Sequence, residues 1–273
     1  VTLNPRTALH HIVLGVGPPI LLLHGLFDTL QTWERLIPLL SHRFTVFAID
    51  FPGFGKTILP KAWGDSMMGM ADAVIGFLDE QGIEQIALVG NSMGAGVALA
   101  ICEAHPERVS RIVLLNPYGL PQMPMAAQSA QSAIAGLLPY LLPRGALRQC
   151  AKRIFSRALF DPNQLTESLL AQRVEPFSSL QRRKDLFRFL RGVSTQTLAA
   201  IDQKLPRITQ PVLILWGIND RWLSGSHWMH LEKRLPHATV TRIANCGHLP
   251  QIDKPNDVAA ALLPFLSPSQ LNR

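Results

Sequence analysis

The chain has 273 residues, 47% hydrophobic and 16% charged, which suits one large folded core and excludes a disordered chain. Three scattered cysteines (Cys102, Cys150, Cys246) without a Cys-x-x-Cys exclude a disulfide framework and point to a reducing, cytoplasmic setting. The net charge of +7 is concentrated: residues 120–207 hold 13 Lys/Arg against 5 Asp/Glu, while the rest holds 13 against 14.

In chain order, Pro19–Leu23 and Phe44–Ile49 read as strands, with a helical pattern over Thr29–Leu40 between them. Ser66–Gln81 is helical with Gly82 as its stop, Ile86–Val89 a strand, Met93–Ala104 a helix and Arg111–Leu115 a strand. Continuous apolar strands alternating with helices predict a mostly parallel sheet covered on both faces. The rhythm breaks at Asn116-Pro117-Tyr118-Gly119. The next ninety residues read as several helices punctuated by prolines. It resumes with strand Val212–Trp216, helix Ser226–Leu235, strand Thr239–Ile243 and helix Asn256–Leu266. The expected organisation is a core of residues 1–119 and 208–273 with a helical cap at 120–207. No signal peptide is visible at Val1, and no apolar run approaches the ~18 residues of a membrane span.

The glycines of Gly90-Asn91-Ser92-Met93-Gly94-Ala95-Gly96 do not have the spacing of a dinucleotide loop. Gly55-Lys56-Thr57 fails as a P-loop because Asp50 stands where the first glycine belongs. Gly90-x-Ser92-x-Gly94 between a strand and a helix fits a nucleophile on a tight turn. Its small neighbours avoid a clash across the turn, and the Met93 N–H and the helix N-terminus meet developing negative charge. A serine needs a base. His248, in Asn245-Cys-Gly-His248 after the last strand, is the candidate. Asp220, in Gly217-Ile-Asn-Asp220 just past another strand, is the candidate carboxylate that orients the imidazole.

Ser92, Asp220 and His248 follow the α/β-hydrolase order, and the chain resembles that superfamily's serine esterases through His24-Gly25, Asp50-Phe-Pro-Gly53, Gly90-Asn-Ser-Met-Gly94, Trp216-Gly-Ile-Asn-Asp220 and Gly247-His248. The resemblance implies an α/β-hydrolase fold with the cap inserted after the sixth strand. It also implies an oxyanion hole from the Leu26 and Met93 N–H groups, with His24 structural. Epoxide hydrolases and haloalkane dehalogenases carry aspartate where Ser92 stands. Asn91-Ser92-Met93-Gly94 is similar to the meta-cleavage product hydrolases, and Arg173 matches their carboxylate-holding cap arginine. Leu26-Phe-Asp-Thr29 and Leu249 depart from that group, and Asn-Cys-Gly-His is similar to monoacylglycerol-lipase-like esterases. Gly25, Phe27, Asn91, Arg173 and Leu249 are the expected substrate contacts. The reading is hydrolysis of a small-molecule ester with a fairly apolar acyl part. Carbon–carbon hydrolysis of a dienoate and a non-catalytic ligand receptor are the alternatives.

Met123–Leu142 is small and apolar, either an acyl-pocket lining or core packing. Arg144, Arg148, Lys152, Arg153 and Arg157 with Leu147, Ala151, Ile154 and Phe155 form a basic amphipathic helix. It is either a solvated face or a surface for anionic partners: a membrane, which would make the protein peripheral, or an acidic carrier protein. No motif supports nucleic-acid binding. His227 and His230 have helical spacing but no third ligand, so no metal and no organic cofactor are expected.

Overall fold

The strands form because their residues alternate between two covered faces, and apolar side chains occupy both. In the computed structural model, which describes residues 9–59, 67–118, 144–235 and 237–267, seven strands make one sheet. They are β1 (His11–Leu14), β2 (Pro19–Leu23), β3 (Thr45–Ile49), β4 (Ile86–Asn91), β5 (Val109–Leu115), β6 (Val212–Gly217) and β7 (Ala238–Ile243). Their order is β1-β3-β2-β4-β5-β6-β7. Only β1 runs antiparallel to its neighbour.

Leu21, Leu23, Leu88, Ile112, Leu114 and Ile214 face one side and join α2 (Met67–Glu80) and α3 (Met93–Ala104) in a buried cluster. Ile20, Leu22, Val89, Val113, Leu115 and Leu215 face the other side, against Trp33 and α1 (Ile37–Leu40). Each fully buried Leu or Ile contributes roughly 1.5–3 kcal/mol, so the inner strands β2, β4 and β6 anchor everything attached to their ends. The helix expected over Thr29–Leu40 is two short pieces, a 3-10 turn at Leu30–Trp33 and α1. Pro38 lies in the first turn of α1, and its missing N–H prevents one helix from running through.

Between β5 and β6 the described chain holds α4 (Arg144–Ala158), α5 (Glu167–Val174), α6 (Leu180–Gly192) and α7 (Thr195–Lys204). Among the described residues the insertion therefore follows the fifth strand, where the sixth was expected. Phe189, Leu190, Leu198 and Ile201 pack α6 and α7 into the cluster that contains α3. On α4, Phe155 and Ala158 are buried. Ile154, expected on the apolar side, is 36% exposed and shares the outer face with Lys152, Arg153 and Arg157. Arg148 pairs with Glu167. The apolar stretch 123–142 lies outside the described residues. After β6 come α8 (Ser226–Arg234), α9 (Pro250–Asp253) and α10 (Pro255–Leu266), whose Val258 and Leu262 cover the face opposite α3. No helix among the described residues is long and apolar enough to cross a membrane.

Candidate active site

The carboxyl ends of β2, β4, β5, β6 and β7 lie along one edge of the sheet, where loops of open parallel sheets build sites. β4 ends at Asn91 and α3 begins at Met93, so Ser92 makes the whole turn. Its backbone sits at φ 52°, ψ −112°, a conformation that costs on the order of 1–3 kcal/mol and persists only when the surroundings enforce it. They do so here. Ser92 N donates to Leu115 O (3.0 Å), and Ser92 O accepts from Ala95 N (3.1 Å) and Tyr118 N (3.3 Å).

A Cβ on Gly90 would come closer than 3.0 Å to the Gly94 carbonyl, the clash across the turn that the spacing implies. A Cβ on Gly94 would strike the Leu23 and His24 carbonyls, so β2 sets that requirement. Gly96 faces the Met67 side chain of α2.

His248 lies in the loop after β7 and is 1% exposed. Its N–H donates to Ala158 O (2.7 Å). Its ring tilts 31° against Trp222 at 5.0 Å between centroids. Its Nδ1 lies 2.7 Å from Asp220 Oδ2. A carboxylate only accepts, so Nδ1 carries a proton, and the lone pair of a neutral ring then lies on Nε2. That Nε2 is buried and has no hydrogen-bond partner among the described residues. The structure thus brings Asp220 and His248 into contact, while a Ser92–His248 hydrogen bond is not formed. Such bonds are often loose before substrate arrives.

Asp220 is held by four groups. Oδ1 accepts from Trp222 N (2.7 Å) and Leu223 N (3.0 Å), and Oδ2 from Asn116 Nδ2 (2.7 Å) as well as His248. Burial alone would raise its pKa. The neighbouring His248 and these hydrogen bonds outweigh burial and hold the carboxyl below its usual range.

Asn116, not singled out from the sequence as a site residue, is fully buried at φ 40°, with Oδ1 accepting Gly217 N at 2.9 Å. Its position where the strand–helix rhythm stops, just before Pro117, was the available signal.

Asn91, an expected substrate contact, is fully buried, and its amide donates to Leu115 O (3.0 Å) and His248 O (3.1 Å). Gln251 Nε2 reaches Asn91 Oδ1 (3.3 Å) and Thr32 Oγ1 (3.0 Å). That amide joins the elbow to the histidine loop.

The loop after β2 abuts the elbow: a Cβ on Gly25 would lie 3.4 Å from Ser92 Cβ. Asp28 N donates to Gly25 O (3.3 Å) around Phe27, whose φ is +63°. His24 is fully buried, with Nδ1 bonded to Gly25 O (2.8 Å) and Nε2 accepting from Phe51 N (3.0 Å). Both ring nitrogens serve structure in a neutral ring, and burial keeps its pKa low.

Phe27 and Trp222 pack on an apolar cluster of Phe155, Ala158, Leu159, Leu249 and Ile252. Arg173 is 1% exposed, its Nη2 2.8 Å from Asp28 Oδ1, and its guanidinium lies 4.7 Å over the Phe155 ring. His227 stacks on Tyr118, and His230 bonds Asp202 at 2.6 Å.

A nucleophile-type turn, an ordered carboxylate–imidazole pair and an apolar wall thus converge on the carboxyl edge of a mostly parallel sheet. Residues 18–255 match the family model described as alpha/beta hydrolase fold. The chain belongs to the α/β-hydrolase fold family. Among α/β-hydrolase relatives, 2-hydroxy-6-oxononadienedioate/2-hydroxy-6-oxononatrienedioate hydrolase 2 of Pseudomonas putida is 29% identical over 267 residues, covering 94% of this chain and 91% of that one. The dihydrolipoyllysine-residue acetyltransferase component of the acetoin cleaving system of Cupriavidus necator is also 29% identical, over 91% of this chain. This chain spans only 63% of that relative's length. The solved 2-hydroxy-6-oxo-6-phenylhexa-2,4-dienoate hydrolase of Rhodococcus sp. strain RHA1 superposes with a TM-score of 0.80 at 25% identity, over 97% of this chain and 96% of that one.

Proposed function

We propose that this α/β-hydrolase cleaves carboxylic esters with a fairly apolar acyl group through Ser92, His248 and Asp220. The observation that carries the reading is the 2.7 Å His248–Asp220 contact beside the strained Ser92 turn. Ser92 Oγ attacks the carbonyl carbon as His248 Nε2 takes its proton. Asp220 holds Nδ1–H and offsets the charge of the imidazolium. The Leu26 and Met93 N–H groups receive the oxyanion. The imidazolium protonates the departing alcohol, leaving an acyl-Ser92, and water activated by His248 then releases the acid. Phe27 and Trp222, backed by the buried Leu249, present apolar surface to the acyl group, beneath a cap formed by residues 120–207 on a core of 1–119 and 208–273.

A second reading, hydrolysis of a carbon–carbon bond in a dienoate, is favoured by the names of the Pseudomonas putida and Rhodococcus relatives. It is weakened by Leu249 after the histidine and by the engagement of Arg173 with Asp28. The test is steady-state turnover of p-nitrophenyl esters of graded chain length beside a ring-fission dienoate, with Ser92→Ala as the control. Ester turnover that falls by about 10⁴-fold or more in Ser92→Ala, in a folded variant, supports the proposal. Retained turnover sinks it, and faster turnover of the dienoate than of any ester transfers the assignment to the second reading.

A further inference from the structure

Beside the site lies a buried ion pair that the mechanism above does not use. Asp28 and Arg173 are each 1% exposed. Asp28 belongs to the loop after β2 that abuts Ser92, and Arg173 to α5 of the inserted segment. The contact between Nη2 and Oδ1 is 2.8 Å but off the line of a hydrogen bond. Arg173 Nη1 donates to Leu169 O (3.0 Å), and Asp28 Oδ1 also accepts Thr29 N (2.8 Å). Arg173 Nε and Asp28 Oδ2 have no hydrogen-bond partner among the described residues.

From the guanidinium a chain of ring contacts leads to the chemistry: over Phe155 at 4.7 Å, Phe155 to Trp222 at 6.4 Å, Trp222 to His248 at 5.0 Å. The apolar wall beside His248 therefore backs directly onto a cation that is neutralised from within. A buried pair of this kind is seldom a net gain in stability, because both ions lose their hydration. Its consequence here is electrostatic. With Asp28 ionised, the pair is close to neutral, and an anionic acyl group entering beside it would leave water without gaining an uncommitted cation.

Resting on the ester-hydrolase reading of the site, we infer that Asp28 is the built-in counter-ion of Arg173 and sets the site's preference for uncharged acyl groups over acyl groups carrying a carboxylate. Removing the Asp28 charge releases a buried arginine next to the acyl wall, and an anionic substrate then supplies the missing partner. Asp28 is thus a specificity-determining residue, acting through Arg173 and by exclusion rather than by contact.

The experiment compares two esters that differ in one charge, p-nitrophenyl methyl glutarate and p-nitrophenyl hydrogen glutarate. The readout is the ratio of their kcat/KM values, which does not depend on the folded fraction of an enzyme. Wild type is expected to favour the neutral diester by about tenfold or more. Asp28→Asn is expected to move the ratio about tenfold or more toward the anionic ester, and the double variant Asp28→Asn/Arg173→Gln to move it back. Wild type that uses the anionic ester as well as the neutral one overturns the inference, even where Asp28→Asn fails to fold. So does a ratio that Asp28→Asn leaves in place. Either failure is separate from a failure of the site reading, which would show as neutral-ester turnover surviving Ser92→Ala.

Discussion

Asn116→Asp changes charge without changing size, at a point where the structure makes the consequence calculable. Asn116 Nδ2 stands 2.7 Å from Asp220 Oδ2, and Asn116 Oδ1 accepts Gly217 N. Two carboxylates at that separation repel by about 6 kcal/mol at an effective dielectric of ~20. At ~1.36 kcal/mol per unit this is about four pKa units, so the introduced carboxyl keeps its proton to roughly pH 8 in the folded protein. Protonated, it still donates to Asp220 and accepts from Gly217, and the variant remains near-native at acidic pH. Its pKa is raised on folding, so the folded state holds a proton that the unfolded chain has released, and stability falls as pH rises from about 4 to about 8. Asp220 itself behaves oppositely. Its depressed pKa contributes stability above the ordinary value of 3.8, lost only as pH falls through the lower folded value. Between pH 5 and 8 the variant should lose about 4 kcal/mol relative to wild type, or roughly 8–16 °C in Tm for a chain of this size. Thermal melts followed by circular dichroism across that range measure it. A Tm difference that stays constant with pH, or narrows toward pH 8, would refute the geometry of the Asn116–Asp220 contact.

Gly94→Ala should cost about 3 kcal/mol and most of the activity, because the added methyl meets the Leu23 and His24 carbonyls at the end of an inner strand that cannot recede. Gly96→Ala, facing only the flexible end of Met67, should cost under about 1 kcal/mol, so equal melting temperatures for the two variants would contradict the packing described. Burial lowers the pKa of His24 and brings that of His227 down to about 4. Both rings then bind fewer protons folded than unfolded, so stability is full above about pH 6.5 and falls as pH drops below it. At pH 4.5, His227→Phe should recover about 2–3 kcal/mol of that loss in urea titrations, and an unchanged acid limb would show that His227 takes up its proton in the folded state as readily as in the unfolded chain.

The parts of the fold legible in the sequence were those written in local pattern. β2, β4 and β6, and β5 from Ile112 to Leu115, are apolar runs because helices cover both of their faces, and α3 emerges within its expected bounds. β1 was not read, since His11–Leu14 is a short edge strand whose Ile12, Val13 and Leu14 stay largely exposed and leave no buried pattern. Pro38 split the helix over Thr29–Leu40, a local signal that the apolar spacing overrode. Within the site, Ser92, Asp220 and His248 stood out because each follows a strand end, and the structure joins the last two directly. Asn116 and Asp28 carry no motif. Their importance comes from partners 104 residues away in one case and on α5 of the inserted segment in the other, which only the folded chain brings near.

The amide of Asn91 has a consequence for how the protein comes into being. It reaches the His248 carbonyl across 157 residues of sequence, and Gln251 closes the same junction across 160. During synthesis the elbow emerges long before the segment that satisfies it. A buried polar group left short of a partner costs about 1–3 kcal/mol, and Leu115 O satisfies only part of the Asn91 amide, so docking of the His248–Gln251 segment completes the hydrogen bonding beside the Ser92 turn.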